Sequence, residues 1–258
     1  MKYVVANWKM NLSVRESIAL VRSVLRSVQG RKHLPGVILC PSATALSETH
    51  KLVNRTHLAL GAQNAGPDRA GACTGEIGLA QLEDVGCQYA LLGHSERRLK
   101  FGESDEVVRA RLTAVLASDL TPIVCVGEPL AVRQAGQAES YVLQQLHQAL
   151  KDQLLPRRKM FMVAYEPVWA IGSGVPAGLA DIIAMHKVIR EYLLHEIKLP
   201  VDRCAVLYGG SVSSQNAHQL LREFEVDGVL VGEASIKAHE CAQIIKAACE
   251  VLEAQLAV

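Results

Sequence analysis

The sequence lacks an excess of charge of either sign. Its 27 Lys and Arg residues nearly balance its 26 Asp and Glu residues, and the formal net charge is +1. The two signs are scattered among one another, whereas a surface that binds nucleic acid or anionic lipid needs clustered basic residues. We therefore expect neither a nucleic-acid partner nor attachment to a membrane.

Long apolar runs are also missing. The most hydrophobic window, LTAVLASDLTPIVCV (112–126), is interrupted by Asp119 and Pro122, and no run reaches the roughly 18 apolar residues of a membrane-spanning helix. The residues MKYVVANWKM (1–10) include no long apolar segment of the kind found in signal peptides. The sequence therefore predicts a soluble protein of the cytoplasm.

The seven cysteines include no Cys-x-x-Cys pair. Zinc sites and redox dithiols commonly use that spacing, so neither is predicted. In the reducing cytosol we expect these cysteines to be small buried packing residues. Cys125 lies at the end of a predicted strand, where it could line a site, but packing is the favoured interpretation.

Motifs for other catalytic classes are absent. The chain has no His-Glu-x-x-His and no Gly-x-Ser-x-Gly motif, which argues against the common routes of hydrolysis. GSGVPAG (172–178) is one residue off the dinucleotide-binding pattern and lies beyond the end of its strand, and no Walker Lys-Ser/Thr pair occurs. We expect no metal and no organic cofactor.

Short apolar segments rich in β-branched residues recur along the whole chain. Apolar runs of this length without alternation are typical of parallel strands that are buried on both faces. The eight segments are YVVAN (3–7), VILCP (37–41), LALGAQ (58–63), YALLG (89–93), PIVCVG (122–127), MFMVAY (160–165), CAVLYG (204–209) and GVLVG (228–232).

Segments with helical periodicity separate the strands. In the first, Ser13 and Glu16 form a capping box and Gly30 marks the end. Strands that alternate with helices, without a Pro/Gly/Ser-rich linker, predict a single α/β domain over residues 1–258. Eight units favour a closed (β/α)8 barrel over a doubly wound open sheet. The helical segments are 13–30, 103–118, 139–155, 180–197, 213–224 and 234–256.

Polar residues follow several of the predicted strands. Asn7 and Lys9 follow the first strand, His94 and Glu96 the fourth, and Glu166 the sixth. In a barrel these positions converge at one mouth, where a carboxylate, an imidazole and an ammonium group could transfer protons. Structural roles remain open at this point, since His94 could cap a turn and Lys9 could pair with Glu96.

Small residues follow the last two strands, in YGGS (208–211) and VGEAS (231–235). Barrels often bind phosphate in these loops, because small residues let backbone N–H groups approach an anion. Ordinary turns would also use glycine here. Together with the IGSG segment (171–174), the two loops favour a phosphate site.

Taken together, five motifs resemble those of the triosephosphate isomerase family. They occur in order over about residues 4–250, each at the expected strand, and the combination is highly specific. The motifs are ANWKMN (6–11), GHSERR (93–98), YEPVWAIGSG (165–174), YGGS (208–211) and VGEAS (231–235).

The resemblance implies a TIM barrel that interconverts dihydroxyacetone phosphate and D-glyceraldehyde 3-phosphate through an enediolate. It implies that Glu166 is the base, that His94 polarises the carbonyl and shuttles protons, and that Lys9 supplies positive charge. Asn7 would help to hold the substrate, and Glu96 would organise Lys9 and the histidine turn.

The resemblance also implies a lid, a phosphate site and a partner subunit. Segment 167–177 would close over the enediolate and exclude water. The glycine-rich segment 65–76 would dock into a second copy in a homodimer, with Thr74 approaching the partner's active site. Phosphate would be held by backbone N–H groups around Gly172, Ser211, Gly232 and Glu233.

Two positions depart from the family pattern. The family typically has glycine at position 233, and a glutamate there could repel phosphate unless its side chain points outward, which we expect. Val175 and Pro176 replace a more usual sequence in the lid, so we expect altered lid kinetics. Two alternatives follow: another phosphosugar-isomerising barrel, and an inactive barrel kept for binding or scaffolding. Both are disfavoured because Lys9, His94 and Glu166 are all present.

Overall fold

Eight parallel strands form a closed barrel in the computed structural model, with each strand hydrogen-bonded to the next and the last to the first. The structure describes residues 1–155, 159–171 and 177–256. The strands are β1 (Tyr3–Asn7), β2 (Gly36–Cys40), β3 (Leu58–Ala62), β4 (Tyr89–Leu92), β5 (Thr121–Val126), β6 (Phe161–Tyr165), β7 (Cys204–Tyr208) and β8 (Gly228–Val231).

The barrel predicted from the sequence is confirmed, and the open-sheet alternative is wrong. Each strand begins and ends within one residue of its predicted segment. Several residues at the ends of those segments, including Gln63, Gly93, Gly209 and Gly232, belong instead to the loops after the strands. These loops form the mouth of the barrel at the carboxyl ends of the strands.

Helices follow the strands on the outside of the barrel. The periodic segments correspond to α1, α5, α7, α8, α9 and α10, whereas four helices of five to eight residues were not predicted because they are too short to display a periodic stripe. The helices are α1 (Val14–Val28), α2 (Leu46–Val53), α3 (Leu79–Asp84), α4 (Ser95–Phe101), α5 (Asp105–Leu116), α6 (Leu130–Gln134), α7 (Ala138–Leu150), α8 (Leu179–Glu191), α9 (Ala217–Arg222) and α10 (Ala238–Leu256).

The predicted capping box at the start of α1 is confirmed. The Ser13 N–H donates to the Glu16 carboxylate at 2.7 Å, and the Glu16 N–H donates to the Ser13 hydroxyl at 3.3 Å. Gly30 follows the end of the helix with a φ of +76°, a left-handed conformation that glycine adopts without strain. None of the helices in the described ranges is long and apolar enough to cross a membrane.

The core has two layers, because successive strand residues point to opposite faces. Val5 faces the barrel interior with Ile38, its register partner on β2, whereas Val4 and Ala6 face the surrounding helices. Cys125 is fully buried in the interior layer, which agrees with the packing role that the sequence favoured.

His186 on α8 is a buried histidine outside the barrel mouth. Its Nδ1 lies 3.0 Å from the Glu225 carbonyl oxygen, which can only accept, so Nδ1 carries a proton. Its ring packs edge-on against Tyr165 with centroids 6.0 Å apart. Burial, reinforced by the nearby charges of Arg190 and Lys2, lowers the pKa of His186 to about 4.

We expect this histidine to make the protein less stable as the pH falls. Its folded pKa lies below the unfolded value, so its contribution is complete above about pH 6.5 and is lost towards pH 4. The loss between pH 7.5 and pH 5 should be about 2 kcal/mol. His186→Asn keeps a donor for Glu225, and urea unfolding at both pH values should show a correspondingly shallower pH dependence. Equal pH dependence in the two proteins would contradict the prediction.

Candidate active site

A cavity of about 660 Å³ opens at the mouth of the barrel. It lies among the loops that follow β1, β4, β6, β7 and β8, which is where the sequence predicted a site. Of the predicted residues, the cavity is lined by Asn7, Lys9, His94, Glu96, Glu166, Ser211, Gly232 and Glu233.

Glu166 follows β6 directly and is 1% exposed. Its N–H donates to the Val126 carbonyl at 2.7 Å, which extends the β5–β6 ladder and fixes the backbone. Its Oε2 accepts the Ser95 N–H at 2.7 Å. Its Oε1 lies 2.9 Å from His94 Nε2, but the pair is not aligned as a hydrogen bond, and Oε1 has no hydrogen-bond partner among the described residues.

Gly127 and Gly209 leave room for Glu166 because neither carries a side chain. Gly127 was not predicted from the sequence as a site residue. A Cβ on Gly127 would lie 1.7 Å from the Glu166 carbonyl oxygen. A Cβ on Gly209 would lie 2.9 Å from the Glu166 Cγ. Neither approach is compatible with a larger side chain, so both loops must carry glycine for the carboxylate to occupy this position.

His94 is the N-cap residue of α4, so it has the capping role that the sequence left open. Its Nδ1 accepts the Glu96 N–H at 3.2 Å, which leaves Nε2 to carry the proton of the neutral ring. Burial is the largest influence and lowers the pKa of His94, but the carboxylates of Glu166 and Glu96 outweigh it, and the net pKa is raised. The raised pKa therefore depends on Glu166 staying beside the ring.

Lys9 occupies a strained backbone conformation with a φ of +53°. The Asn7 side chain accepts its N–H at 3.1 Å, and the Gln63 amide donates to its carbonyl at 2.8 Å. Its Nζ lies 2.8 Å from Glu96, so the pairing considered from the sequence occurs. Burial raises the pKa of Glu96, but the hydrogen bond and charge of Lys9 outweigh burial and leave the pKa lowered.

Gln63 is a positioning residue that sequence reasoning missed. Its amide also donates to the Cys40 carbonyl at 2.9 Å, so it ties the end of β2 to the loop that carries Lys9. In the sequence, Gln63 is the last residue of a predicted strand, and the sequence pattern indicates no hydrogen-bond partner for its side chain. Its position directly after β3 was the available signal.

The loops after β7 and β8 supply the small-residue side of the cavity. The Ser211 hydroxyl donates to the Ala170 carbonyl at 2.8 Å, and Asn216 donates to the Ser211 carbonyl at 2.9 Å. A Cβ on Gly232 would lie 3.2 Å from the Lys9 Cε, so this backbone approaches the lysine closely. The Glu233 side chain is 79% exposed and pairs with Lys237 at 2.7 Å.

The first residues of the predicted lid are held by Glu128, a fully buried carboxylate that sequence reasoning also missed. It accepts hydrogen bonds from the Trp169 indole at 2.8 Å and the Tyr165 hydroxyl at 3.1 Å. Arg133 stacks over the Trp169 ring at 4.6 Å. Gly172, Val175 and Pro176 lie outside the described residues.

The remaining predicted residue, Thr74, does not line this cavity. It is exposed on segment 65–76, beside a separate cavity of about 320 Å³ formed largely by that segment. Elsewhere in the described ranges, no group of three or more His, Cys, Asp or Glu residues is arranged to hold a metal ion.

A (β/α)8 barrel that gathers a buried carboxylate, an imidazole and an ammonium group at the carboxyl ends of its strands is built for acid–base chemistry. Comparisons with known proteins identify the family. The family model for triosephosphate isomerase matches residues 2–248, and the chain belongs to this family, whose members are isomerases.

Individual relatives agree over nearly the full length. Triosephosphate isomerase of Roseiflexus sp. is 44% identical over 243 residues, covering 93% of this chain and 94% of the relative. That of Endomicrobium trichonymphae is 39% identical over 240 residues, covering 93% and 96%. A crystal structure of the enzyme from Bartonella henselae superposes with a TM-score of 0.84 at 31% identity, covering 98% of this chain and 99% of that one.

Proposed function

We propose that this protein interconverts dihydroxyacetone phosphate and D-glyceraldehyde 3-phosphate, as a triose-phosphate isomerase of glycolysis and gluconeogenesis. Family membership supports the substrate. The observation that carries the chemistry is the placement of Glu166, His94 and Lys9 around one cavity, with the carboxylate buried beside the imidazole. No observation favours an inactive barrel.

In the proposed reaction, Glu166 removes a proton from C1 of the ketose and returns it to C2. The carboxylate must first leave the Ser95 N–H and turn towards the substrate. As it moves away from His94, it removes an influence that raises the pKa of the ring, so the neutral imidazole becomes easier to maintain. His94 Nε2–H then donates to the carbonyl oxygen, and the Lys9 ammonium stabilises the enediolate charge.

The substrate phosphate is held on the opposite side of the cavity. The N–H groups around Ser211, Gly232 and Glu233 bind it in this proposal, together with Gly172 from the lid. Support comes from the first three lining the same cavity as the catalytic groups and from the preference of anions for closely spaced backbone N–H groups. Segment 167–177 closes over the enediolate and keeps water from it.

The direct test is steady-state isomerisation by the purified protein. We expect a kcat/KM for glyceraldehyde 3-phosphate above about 10⁴ M⁻¹s⁻¹, within the usual range for enzymes. Unphosphorylated glyceraldehyde serves as the matched control and should react far more slowly, because it cannot use the phosphate-binding loops. A folded protein that isomerises neither sugar would refute the proposed function.

We also propose that the protein is a homodimer of the cytoplasm. A second cavity of about 240 Å³ is lined in part by Pro41, Leu46 and Asn64, and the Asn64 side-chain oxygen is buried without a hydrogen-bond partner among the described residues. Phe101 is 69% exposed and lies under the guanidinium of Arg97, which also lines this cavity, and Met10 is 97% exposed and follows Lys9, whose carbonyl accepts from the lining residue Gln63. A cavity with an unsatisfied polar atom, beside exposed apolar side chains, fits a docked partner segment.

Segment 65–76 of a second copy, with Thr74, is the proposed occupant of that cavity. Light scattering on the purified protein should give twice the 28.0 kDa mass of one chain, and a monomer mass at micromolar concentration would contradict the dimer.

The cytoplasmic location is supported by the seven cysteines, all within the described residues and all free. Fractionation of cells would test it.

A further inference from the structure

The mouth of the active site is not positively charged, although the proposed substrate is an anion. The cavity is lined by three lysines, Lys9, Lys100 and Lys237, and by four glutamates. Those glutamates are Glu96, Glu166, Glu233 and Glu240. With neutral His94, the described lining carries one more negative than positive charge, so a phosphate can enter only if these carboxylates are individually neutralised or directed away.

Each of the four carboxylates has a partner. Lys9 binds Glu96 at 2.8 Å, and backbone N–H groups bind Glu166 at 2.7 Å and Glu240 at 3.1 Å. Glu233 is bound by Lys237 at 2.7 Å. Among the four, Glu233 is also the residue whose own N–H is proposed to hold phosphate. Its carboxylate is therefore carried by a residue of the phosphate site itself.

Local geometry explains the Glu233–Lys237 pair. Glu233 opens a 3₁₀ turn, Glu233–Ile236, and Lys237 follows immediately, four residues further along and on the same side. The hydrogen bond from Lys237 and its charge lower the pKa of Glu233, so the carboxylate is ionised at neutral pH. The pair therefore holds an ionised carboxylate on the solvent side of the loop, beside the ammonium group that neutralises it.

We propose that Lys237 is a positioning residue that allows an acidic residue to occupy the phosphate loop. Lys237 neutralises the Glu233 carboxylate and holds it outward, so that the Glu233 N–H can bind phosphate without repulsion from its own side chain. The inference rests on the proposed function for the identity of the substrate, and it predicts that Lys237 acts through Glu233.

A double-mutant cycle tests this dependence. Lys237→Met should raise KM for glyceraldehyde 3-phosphate, and the inhibition constant of inorganic phosphate, roughly five-fold, the effect of one unpaired charge on a dianion about 8 Å away in water. Kcat should change much less than KM. In the Glu233→Gln background, Lys237→Met should change KM less than about two-fold, because no released carboxylate can turn towards the phosphate and the charge of Lys237 itself, on a side chain 58% exposed, is screened by solvent. The five-fold effect should also shrink as salt is added.

Lys246→Met provides the matched control. Lys246 forms the same type of i,i+4 pair with Glu250 on α10, at 3.7 Å and with both side chains about half exposed, but neither residue lines the cavity. This variant should leave KM and phosphate inhibition unchanged.

Several outcomes would overturn the inference. If Lys237→Met raises KM equally in both backgrounds, Lys237 acts on the substrate directly. If it changes KM no more than the control does, the pair has no role in binding. Absence of isomerase activity would refute the proposed function alone, since calorimetric titration of the same variants with inorganic phosphate still measures the cycle. Failure of the wild type to bind phosphate would refute both.

Discussion

Replacing Glu166 with glutamine should lower kcat for triose-phosphate isomerisation by at least about 100-fold, the lower limit for loss of a general base. Glutamine retains the size of the side chain, and its amide oxygen can still accept the Ser95 N–H at the 2.7 Å position. It cannot take a proton from carbon. The loss should therefore be in kcat, with a smaller change in KM, because the phosphate contacts are unaffected.

Proton exchange gives an independent readout of the same step. In deuterated water the wild type should exchange the C1 proton of dihydroxyacetone phosphate, and Glu166→Gln should lose exchange and isomerisation together. Glu191→Gln is the control, because Glu191 is exposed at the last residue of α8 and does not line the cavity. A Glu166→Gln enzyme within ten-fold of the wild type would show that another group is the base.

The sequence predicts the barrel well because the information is local and repeated. Each strand is a short apolar run, and the polar residues that matter most stand directly after such runs, as Glu166 does after FMVAY. In a parallel barrel, position after a strand is sufficient to place a residue at the mouth. Position after a strand therefore predicts Asn7, Lys9 and His94 together at the mouth.

Residues whose importance depends on partners that the sequence pattern does not reveal were missed. Glu128 was a lone acid after β5, and only the fold brings Tyr165 and Trp169 to it. Lys237 was assigned to a helix over 234–256, but α10 begins at Ala238 and the preceding residues form the 3₁₀ turn that pairs Lys237 with Glu233. The apolar residues continue at helical spacing from the 3₁₀ turn into α10, because 3₁₀ and α-helical backbone place similar residues on the buried side. The sequence pattern therefore does not show where the turn ends and the helix begins.

Arg111 is the clearest example of a long-range role. By sequence it is one of several charged residues on α5, where a solvated position is the ordinary expectation. In the structure it is 6% exposed and donates to the Ala65 carbonyl and to the Glu76 carboxylate, the latter at 2.9 Å. Ala65 and Glu76 are the first and last residues of the proposed dimer segment, so one guanidinium group joins its two ends.

The same guanidinium connects this segment to the active-site turn. Arg111 lies 3.3 Å from the buried Glu103 carboxylate, which accepts a hydrogen bond from the Arg97 side chain at 2.6 Å. The Arg97 N–H in turn donates to the His94 carbonyl at 2.8 Å. The remaining Glu103 oxygen is buried without a partner among the described residues, so this carboxylate has no further donor to compensate for a loss.

Arg111→Met should therefore lower the free energy of unfolding by about 3 kcal/mol, because the Ala65 carbonyl loses its buried donor and Glu103 is left with the Arg97 guanidinium alone. Methionine fills the volume of the aliphatic stem, so the loss reflects charge and hydrogen bonding more than a cavity. Arg111→Lys should recover part of the loss, because lysine restores the charge but cannot donate in a fork to Ala65 and Glu76 together. Urea unfolding at one fixed protein concentration measures both, since dimerisation would make stability depend on concentration.

The control for this change lies two residues away. Arg109 is on the same helix and partly exposed, so Arg109→Met should cost less than about 1 kcal/mol, as is usual for charges that reach solvent. If Arg111→Met is no more costly than this control, the buried network contributes nothing net. If the larger cost is observed, the buried network that connects segment 65–76 to the turn carrying His94 contributes to the stability of the fold.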